Sequence, residues 1–306
     1  MRITNALVTQ RLIAGVTGNS AKLQEAQERV TTGLKVTKMS DDPTAGSAIM
    51  LTSSALRGIA QFQRNTAALG SELDAEDTAL GQVGDVLTRA KELAVGASGA
   101  NANAASRAAT ALEVKSLIGQ IVQVGNTKLG DGFLFGGSNS ADAAPFDQNQ
   151  TGQVPAYVAI PTGGTTPRLP QGTRPVEISA AQTMPGAHDG DTVFVQSGVL
   201  TSLQALYDGL VANDPTAISA SEAKIDEAMD HTQALVGDVG ARRNRVDAAT
   251  ASLGVLEANL QTKKSDLSEV DMEQAITEMV ARQTAYQAAM LASSKVMGLS
   301  LTDYLR

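Results

Sequence analysis

Cysteine and tryptophan are absent from the 306-residue sequence, and its aromatic residues are limited to four Tyr and five Phe. Without cysteine, the chain can form no disulfide, thiolate zinc site, iron–sulfur cluster or cysteine nucleophile. With so few aromatic side chains, a core has to be built from Ala, Leu, Val, Ile and Met, which suits helix packing better than an aromatic-lined pocket. These absences exclude many classes of enzyme.

Positive charge is also scarce, because 24 Lys and Arg residues stand against 32 Asp and Glu, for a net charge of −8. Nucleic-acid affinity depends largely on neutralising phosphates, so we expect no nucleic-acid partner. We expect no membrane insertion either, since no apolar run reaches the roughly 20 residues that span a bilayer. Thr9, Gln10 and Arg11 interrupt the apolar residues near the N-terminus, so we expect no cleaved signal peptide.

Proline is confined mainly to the middle of the chain, where seven of the nine prolines lie between Pro145 and Pro185. Proline removes a backbone donor and clashes with the preceding helical turn, so we predict loop and strand from about residue 138 to 197. Within this segment, residues 157–160, 176–178 and 193–195 have the short apolar patterns of strands.

On both sides of this segment the apolar residues recur at steps of three and four, which predicts long helices with a heptad seam. One seam follows residues 59–94 and is interrupted by the polar Thr66 and Glu76; the other follows residues 225–267. Asp42-Pro43 and Asp214-Pro215 are suited to begin these helices. The pattern predicts a mainly α fold, a long antiparallel coiled-coil or helical-bundle rod formed by both chain ends, with a small inserted β domain.

This arrangement divides the chain into three predicted parts. Residues 1–40 and 270–306 form terminal helices, 41–138 and 198–269 form the helical rod core, and 139–197 form an inserted, outward-facing β domain. We expect the insert to be peripheral, so that removing residues 141–196 and bridging the gap leaves assembly competence largely intact.

The terminal helices carry apolar stripes that a thin rod cannot bury, which indicates an assembly surface. The predicted interface residues are Ile3, Leu7, Ala14, Tyr286, Met290, Met297, Leu299, Leu301, Tyr304 and Leu305. The rods also carry opposite charges. If they run antiparallel, Arg242 and Arg243 fall beside residues 66–69, about one turn from Glu72, and we expect these charges to set the register.

No constellation supports catalysis, so we predict no enzyme and no catalytic, cofactor-binding or metal site. The two histidines, His188 and His231, are far apart, and no nucleotide-binding Gly-Lys-Ser/Thr loop exists. The sequence His188-Asp189-Gly190-Asp191 would bind a divalent cation weakly or form a polar turn, and we favour the turn.

Several segments together identify a resemblance to a family. Met1-Arg2-Ile3, Ser40-Asp41-Asp42-Pro43, Phe133-Leu134-Phe135-Gly136-Gly137, Thr284-Ala285-Tyr286-Gln287-Ala288 and the final Leu299-Ser300-Leu301-Thr302-Asp303-Tyr304-Leu305 resemble the flagellin-like family of bacterial flagellar hook-associated protein 3. The resemblance covers both helical flanks.

The resemblance implies a structural component of the hook–filament junction, assembled as a ring of subunits through its terminal helices. It implies a hook-associated protein as neighbour on the hook side, flagellin on the filament side, and a flagellar export chaperone. Such proteins leave the cell unfolded through the flagellar type III apparatus without a cleaved signal and function in the extracellular flagellum.

Three alternatives stay open. The first is a flagellin with a small outer domain, since residues 87–94 are similar to the flagellin helix that innate Toll-like receptors recognise. The second is an intracellular coiled-coil adaptor. The third is a carbohydrate-binding or hydrolytic protein that uses Phe146, Tyr157 and Phe194 of the insert.

Overall fold

The computed structural model describes residues 2–99, 102–137, 145–146 and 172–304. In chain order its elements are α1 (Arg2–Thr32), α2 (Pro43–Ser98), α3 (Ala104–Gly125), β1 (Lys128–Leu129), β2 (Gly132–Phe133), β3 (Pro175–Ser179), β4 (Gln182–Pro185), a π-helix (Asp191–Gln196), α4 (Val199–Val211), α5 (Pro215–Ser268) and α6 (Met272–Tyr304). β1 pairs with β2 and β3 with β4, both antiparallel. The prediction of a mainly α fold with a small β part is confirmed.

The two longest helices begin at the predicted capped prolines. The side chains of Asp42 and Asp214 each accept hydrogen bonds from the backbone N–H groups two and three residues later, at 2.9 to 3.2 Å. Pro43 and Pro215 then occupy the first helical position, where a missing N–H costs nothing. The free amides of each first turn are therefore satisfied by a local carboxylate.

Backbone contacts divide the chain into two compact units. The terminal unit consists of Met1–Gly58 and Val255–Arg306, and the central unit is Ile59–Gly254. α2 and α5 contribute residues to both units. The predicted three-part division, with an insert at 139–197, stays a prediction because residues 138–144 and 147–171 lie outside the described part of the chain.

The core of the central unit is built on the heptad seam of α2. Seven apolar residues of this seam are no more than 1% exposed: Leu69, Leu73, Leu80, Val83, Leu87, Ala90 and Ala94. They belong to one buried cluster with apolar side chains of α3, α4 and α5. Across the helices, Asp74 pairs with Arg243 at 3.0 Å and Lys91 with Asp226 at 2.5 Å, so α2 and α5 run antiparallel within this unit.

Arg107 of α3 joins the last turn of α2 to the turn before α5. Its buried guanidinium donates from Nε to the backbone oxygen of Ala97 (2.9 Å) and from Nη1 to Oδ1 of Asn213 (2.8 Å). Asn213 lies in the turn before α5 at a φ of 52°, a left-handed conformation that Asn tolerates better than most residues. The sequence patterns predicted neither this link nor the short helix α4.

The segment after α3 is not peripheral where it is described. Phe135, Phe146 and Phe194 are buried, and the ring of Phe194 meets the other two edge to face at centroid distances of 5.0 and 5.3 Å. The Phe146 ring lies so close to Gly125 that a Cβ there would be 2.6 Å from it. The described part of this segment therefore completes the core of the helices, and the effect of removing residues 141–196 on assembly stays a prediction.

The predicted strands have different outcomes. Residues 176–178 lie in β3, as predicted, whereas 157–160 lie outside the described residues. The strand predicted at 193–195 is wrong, because these residues belong to the π-helix. Val193 and Phe194 are both fully buried, although consecutive side chains of a strand point to opposite faces.

Phe194→Ala tests whether this segment shares the helical core. We expect the free energy of unfolding to fall by about 3 to 5 kcal/mol, the range for removing a buried Phe side chain. Urea denaturation followed by far-UV circular dichroism measures it, with Phe133→Ala, at a partly exposed position, as the control. An unchanged helical transition in Phe194→Ala would contradict the shared core.

Candidate assembly surface

The terminal unit is held together by α1 and α6 and the chain segments next to them. α1 packs against α6, and Arg29 pairs with Glu278 at 3.6 Å. Beyond the end of α1, Leu34 forms an antiparallel bridge with Glu269, flanked by backbone hydrogen bonds from Lys35 and Val270 at 2.8 and 2.9 Å. These contacts place α1 and α6 side by side in opposite directions.

The turn before α2 is organised by Asp41. Its Oδ2 accepts hydrogen bonds from the backbone N–H groups of Thr37 (3.1 Å) and Lys38 (2.8 Å) and from the Thr37 hydroxyl (3.1 Å). These donors, the Lys38 N–H first, hold the pKa of the Asp41 carboxyl below its ordinary value of 3.8. Asp41 and Asp42 therefore stabilise two different turns, and Asp42 has the capping role that its place before Pro43 predicts.

Apolar surface is left uncovered throughout this unit. Among its described side chains, the only apolar ones that are buried are Ala26 and Ala275. Its exposed large apolar side chains are Leu7, Ile13, Met39, Met50, Leu51, Val255, Leu256, Met272, Ile276, Val280, Met290 and Leu291. The terminal unit thus exposes the residue types that the central unit buries.

One face of α6 concentrates this surface. Met272, Ile276, Val280 and Leu291 follow one another at steps of four, four and eleven residues, which keeps them on one side of a helix. All four are exposed, Leu291 by 66%. Gln283 and Gln287 interrupt this stripe, but several large exposed apolar side chains on one face of a helix are typical of a protein interaction site.

The structure describes only part of the predicted interface. Leu7, Ala14 and Met290 are exposed, and Tyr286 is partly buried. Ile3 lies on α1 and Met297, Leu299, Leu301 and Tyr304 lie on α6, but their side chains are outside those described, as is the whole of Leu305. Ile13, Val280 and Leu291 were missed, although their spacing along each helix was a usable signal. The interface itself stays a prediction.

The predicted register charges occupy the central unit and do not contact one another. Arg243 lies across Gly70 and pairs with Asp74 of α2. Glu72 pairs with Arg174 at 3.5 Å, and Arg242 donates to the backbone oxygen of Gly186 at 2.7 Å. Two of the three charges therefore contact the segment between the helices, and their role in register stays a prediction.

The His188-Asp189-Gly190-Asp191 sequence is buried rather than at the surface. His188 Nδ1 lies 2.6 Å from Oε1 of Glu76, and Asp189 accepts backbone hydrogen bonds from Gly172 (2.7 Å) and Thr192 (2.8 Å). The sequence missed these contacts, although Glu76 was marked as a polar interruption of the α2 seam. Within the described residues, no group of three or more His, Asp or Glu is placed to hold a metal ion.

Two of the three aromatic residues considered for a ligand pocket lie in the described part of the chain, and both belong to the core. Phe146 and Phe194 are buried among other core side chains, and Tyr157 lies outside the described residues. A groove between the β3–β4 hairpin and α5 is instead lined by residues such as Ile178, Met184 and Arg245. Of the helices in the described part of the chain, none is both long and apolar enough to cross a membrane.

Comparison with known proteins gives the family. A family model for the bacterial flagellin N-terminal helical region matches residues 3–140, and one for the bacterial flagellin C-terminal helical region matches residues 223–305. Together they match more than two thirds of the chain. The chain belongs to the bacterial flagellin family.

Individual relatives are similar to this flagellin-family chain over nearly its full length. It is 26% identical to flagellar hook-associated protein 3 of Escherichia coli over 98% of both chains. It is 24% identical to flagellin FlaB2 of Treponema pallidum over 99% of this chain and 98% of the relative. The crystal structure of flagellar hook-associated protein-3 from Legionella pneumophila has the same fold, with a TM-score of 0.60 and 16% identity over 72% of this chain and 98% of that one.

The turn of Asp41 gives a pH-dependent prediction. Because the folded pKa of Asp41 is lowered, its stabilising contribution is present above the ordinary value of 3.8 and is lost as the pH falls through the lower folded value. We expect an NMR titration of its carboxyl carbon to have a midpoint below 3.8. In Thr37→Ala, which keeps the two backbone donors, the midpoint should move only part of the way back. A midpoint at or above 3.8 in the parent protein would refute this account.

Proposed function

We propose that this chain is the hook–filament junction component of the bacterial flagellum, a structural protein without enzymatic activity that assembles as a ring of subunits through α1 and α6. The observation that carries the proposal is the contrast between the two units. The central unit buries its apolar seam within the subunit, whereas the described part of the terminal unit leaves the α6 stripe exposed. The full-length likeness to a hook-associated protein supports the junction as the location.

The exposed stripe provides a driving force for assembly. Burial of apolar surface contributes about 25 cal/mol per Å², before the cost of ordering the groups that form the contact. Side chains such as Ile276, Val280 and Leu291 remain largely exposed beside α1, so a neighbouring subunit can cover them. A ring multiplies each contact by the number of subunits.

The proposal includes the partners and location that the family resemblance implies. A hook-associated protein contacts the ring on the hook side, flagellin contacts it on the filament side, and a flagellar export chaperone binds the subunit before export. The chain reaches the extracellular flagellum through the type III apparatus without a cleaved signal. Within the assembled subunit, residues 1–40 and 270–306 polymerise, 41–138 and 198–269 form the rod core, and 139–197 form the outward-facing domain.

A second candidate is a filament flagellin. The match to flagellin FlaB2 covers as much of the chain as the match to hook-associated protein 3, and the exposed α6 stripe suits lateral contacts in a filament equally well. The two candidates differ in copy number and position, not in the chemistry of the surface.

The location of the protein in isolated flagella tests the proposed function. With immunogold labelling against residues of the central unit, we expect a few particles at the boundary between hook and filament. Labelling along the whole filament would instead establish the flagellin candidate. Absence from flagella, with the protein retained inside the cell, would support an adaptor and contradict both.

Leu291→Glu tests the α6 stripe. A carboxylate at this position has to be buried without a partner when a neighbour covers the stripe, so we expect incorporation into flagella to fall about tenfold or more. The fraction of protein in isolated flagella, against total cell protein, measures this. Far-UV circular dichroism of the purified variant should match the parent.

The matched control is Gln274→Glu, which adds the same charge to α6 at an exposed polar position about 100° or more around the helix from every residue of the stripe. It should assemble as the parent does. Equal incorporation of both variants would show that the stripe is not part of the interface, and equal loss would show that any added charge on α6 is sufficient.

A further inference from the structure

A buried glutamate interrupts the apolar seam of α2. Glu76 is 0% exposed and lies between Leu73 and Leu80, two of the most deeply buried leucines. A buried carboxylate is costly unless its oxygens are paired. Its Oε1 has partners, but its Oε2 has none among the described protein atoms. A carboxylate buried at this cost in a packed seam indicates a structural role that an apolar side chain cannot perform.

The partners of Glu76 come from a segment more than 100 residues away. Oε1 lies 3.2 Å from the backbone N–H of His188, which donates to it, and 2.6 Å from His188 Nδ1. One turn earlier on α2, Oε1 of Glu72 accepts the backbone N–H of Ala187 at 3.2 Å. Two glutamates on successive turns therefore accept the N–H groups of Ala187 and His188. We call residues 186–188 the clasp.

The other side of the clasp is held by α5. Arg242 donates from Nη1 to the backbone oxygen of Gly186 (2.7 Å) and from Nη2 to Nε2 of His188 (2.8 Å). Asp238 lies 3.1 Å from the same Nε2 and 2.6 Å from Arg242. Because a guanidinium only donates and a carboxylate only accepts, Nδ1 of His188 lies against an acceptor of α2, and Nε2 lies between a donor and an acceptor of α5.

The clasp is itself fixed in position. The backbone N–H of Gly186 donates to the oxygen of Arg174 at 2.9 Å, and that of Gly190 to the oxygen of Phe135 at 2.9 Å. The clasp therefore fixes which turn of α2 lies beside which turn of α5. Contacts within either helix alone cannot do this.

A heptad seam does not by itself fix this alignment of the two helices. Because its apolar positions repeat every seven residues, sliding one helix by a heptad, about 10 Å at 1.5 Å per residue, restores similar apolar contacts. A single buried polar residue can remove this degeneracy, since any other register leaves it unpaired. The exposed pairs Asp74–Arg243 and Lys91–Asp226 are weaker candidates, because exposed ion pairs contribute little.

We propose that Glu76 determines the register of α5 on α2, acting through His188 of the clasp. Glu76 and His188 are thus positioning residues for the central unit. The register is a property of the single subunit, so the proposal does not depend on the proposed function.

Spin-label distance measurements test the proposal directly. Because the chain has no cysteine, Thr78→Cys on α2 and Asn244→Cys on α5, both at exposed positions, provide the only two labelling sites. Pulsed electron–electron resonance should give one narrow distance in the parent. We expect a second distance to appear in Glu76→Leu and in His188→Leu, whereas Glu76→Gln, which keeps an acceptor for His188, should retain the single distance.

Two controls separate the clasp from other effects. Thr66→Val replaces the other polar residue of the same seam, which is buried but bonds only to its own helix through Gln63, and it should keep one distance. Asp74→Asn removes an exposed pair between the helices and should also keep one distance. A single parent-like distance in Glu76→Leu or His188→Leu with native helicity would overturn the proposal. If Glu76→Leu fails to fold, the result is read from His188→Leu.

Discussion

Burial of the α2 seam is the interaction on which the rest of the structure depends. Two long helices packed side by side can cover only part of an apolar stripe, so the central unit adds α3, α4 and the described parts of the segment between α3 and α4. Phe135, Phe146 and Phe194 supply the large side chains that the Ala-rich helices lack. These three aromatic rings are buried in the core, so none of them lines a pocket.

Charged residues inside this core connect parts of the chain that are remote in sequence. Arg107 joins the last turn of α2 to the turn before α5, and Glu76 joins α2 to His188. The Arg107 guanidinium donates to two oxygens, and Oε1 of Glu76 accepts an N–H group, which offsets part of the cost of removing these charges from water. Such pairs contribute less to stability than to the choice of one arrangement, because a mispaired alternative leaves a charge unsatisfied.

Local features of the fold could be predicted from the sequence, and the contacts between remote segments could not. The helix starts at Pro43 and Pro215 and the seam from Leu69 to Ala94 depend on neighbouring residues, so spacing and capping rules suffice. The apolar run at 193–195 was assigned to a strand because a run of three does not distinguish a strand from one buried helical turn. The pairing of Glu76 with His188 spans 112 residues, and no local pattern encodes it.

The same limit applies to the candidate site. Stripes on α1 and α6 could be found by their period, but which residues of a stripe stay exposed depends on how the two helices pack. Leu291 and Val280 remain exposed whereas Tyr286 is partly covered.

This exposure suits a subunit that, in the proposed ring, has to stay separate before it assembles. Each exposed aliphatic or Met side chain contributes at most about 1.5 to 3 kcal/mol on full burial. The net charge of −8 opposes association of free subunits. Assembly in the proposed ring then requires many such contacts at once, because no single residue of the stripe provides enough to hold two subunits together.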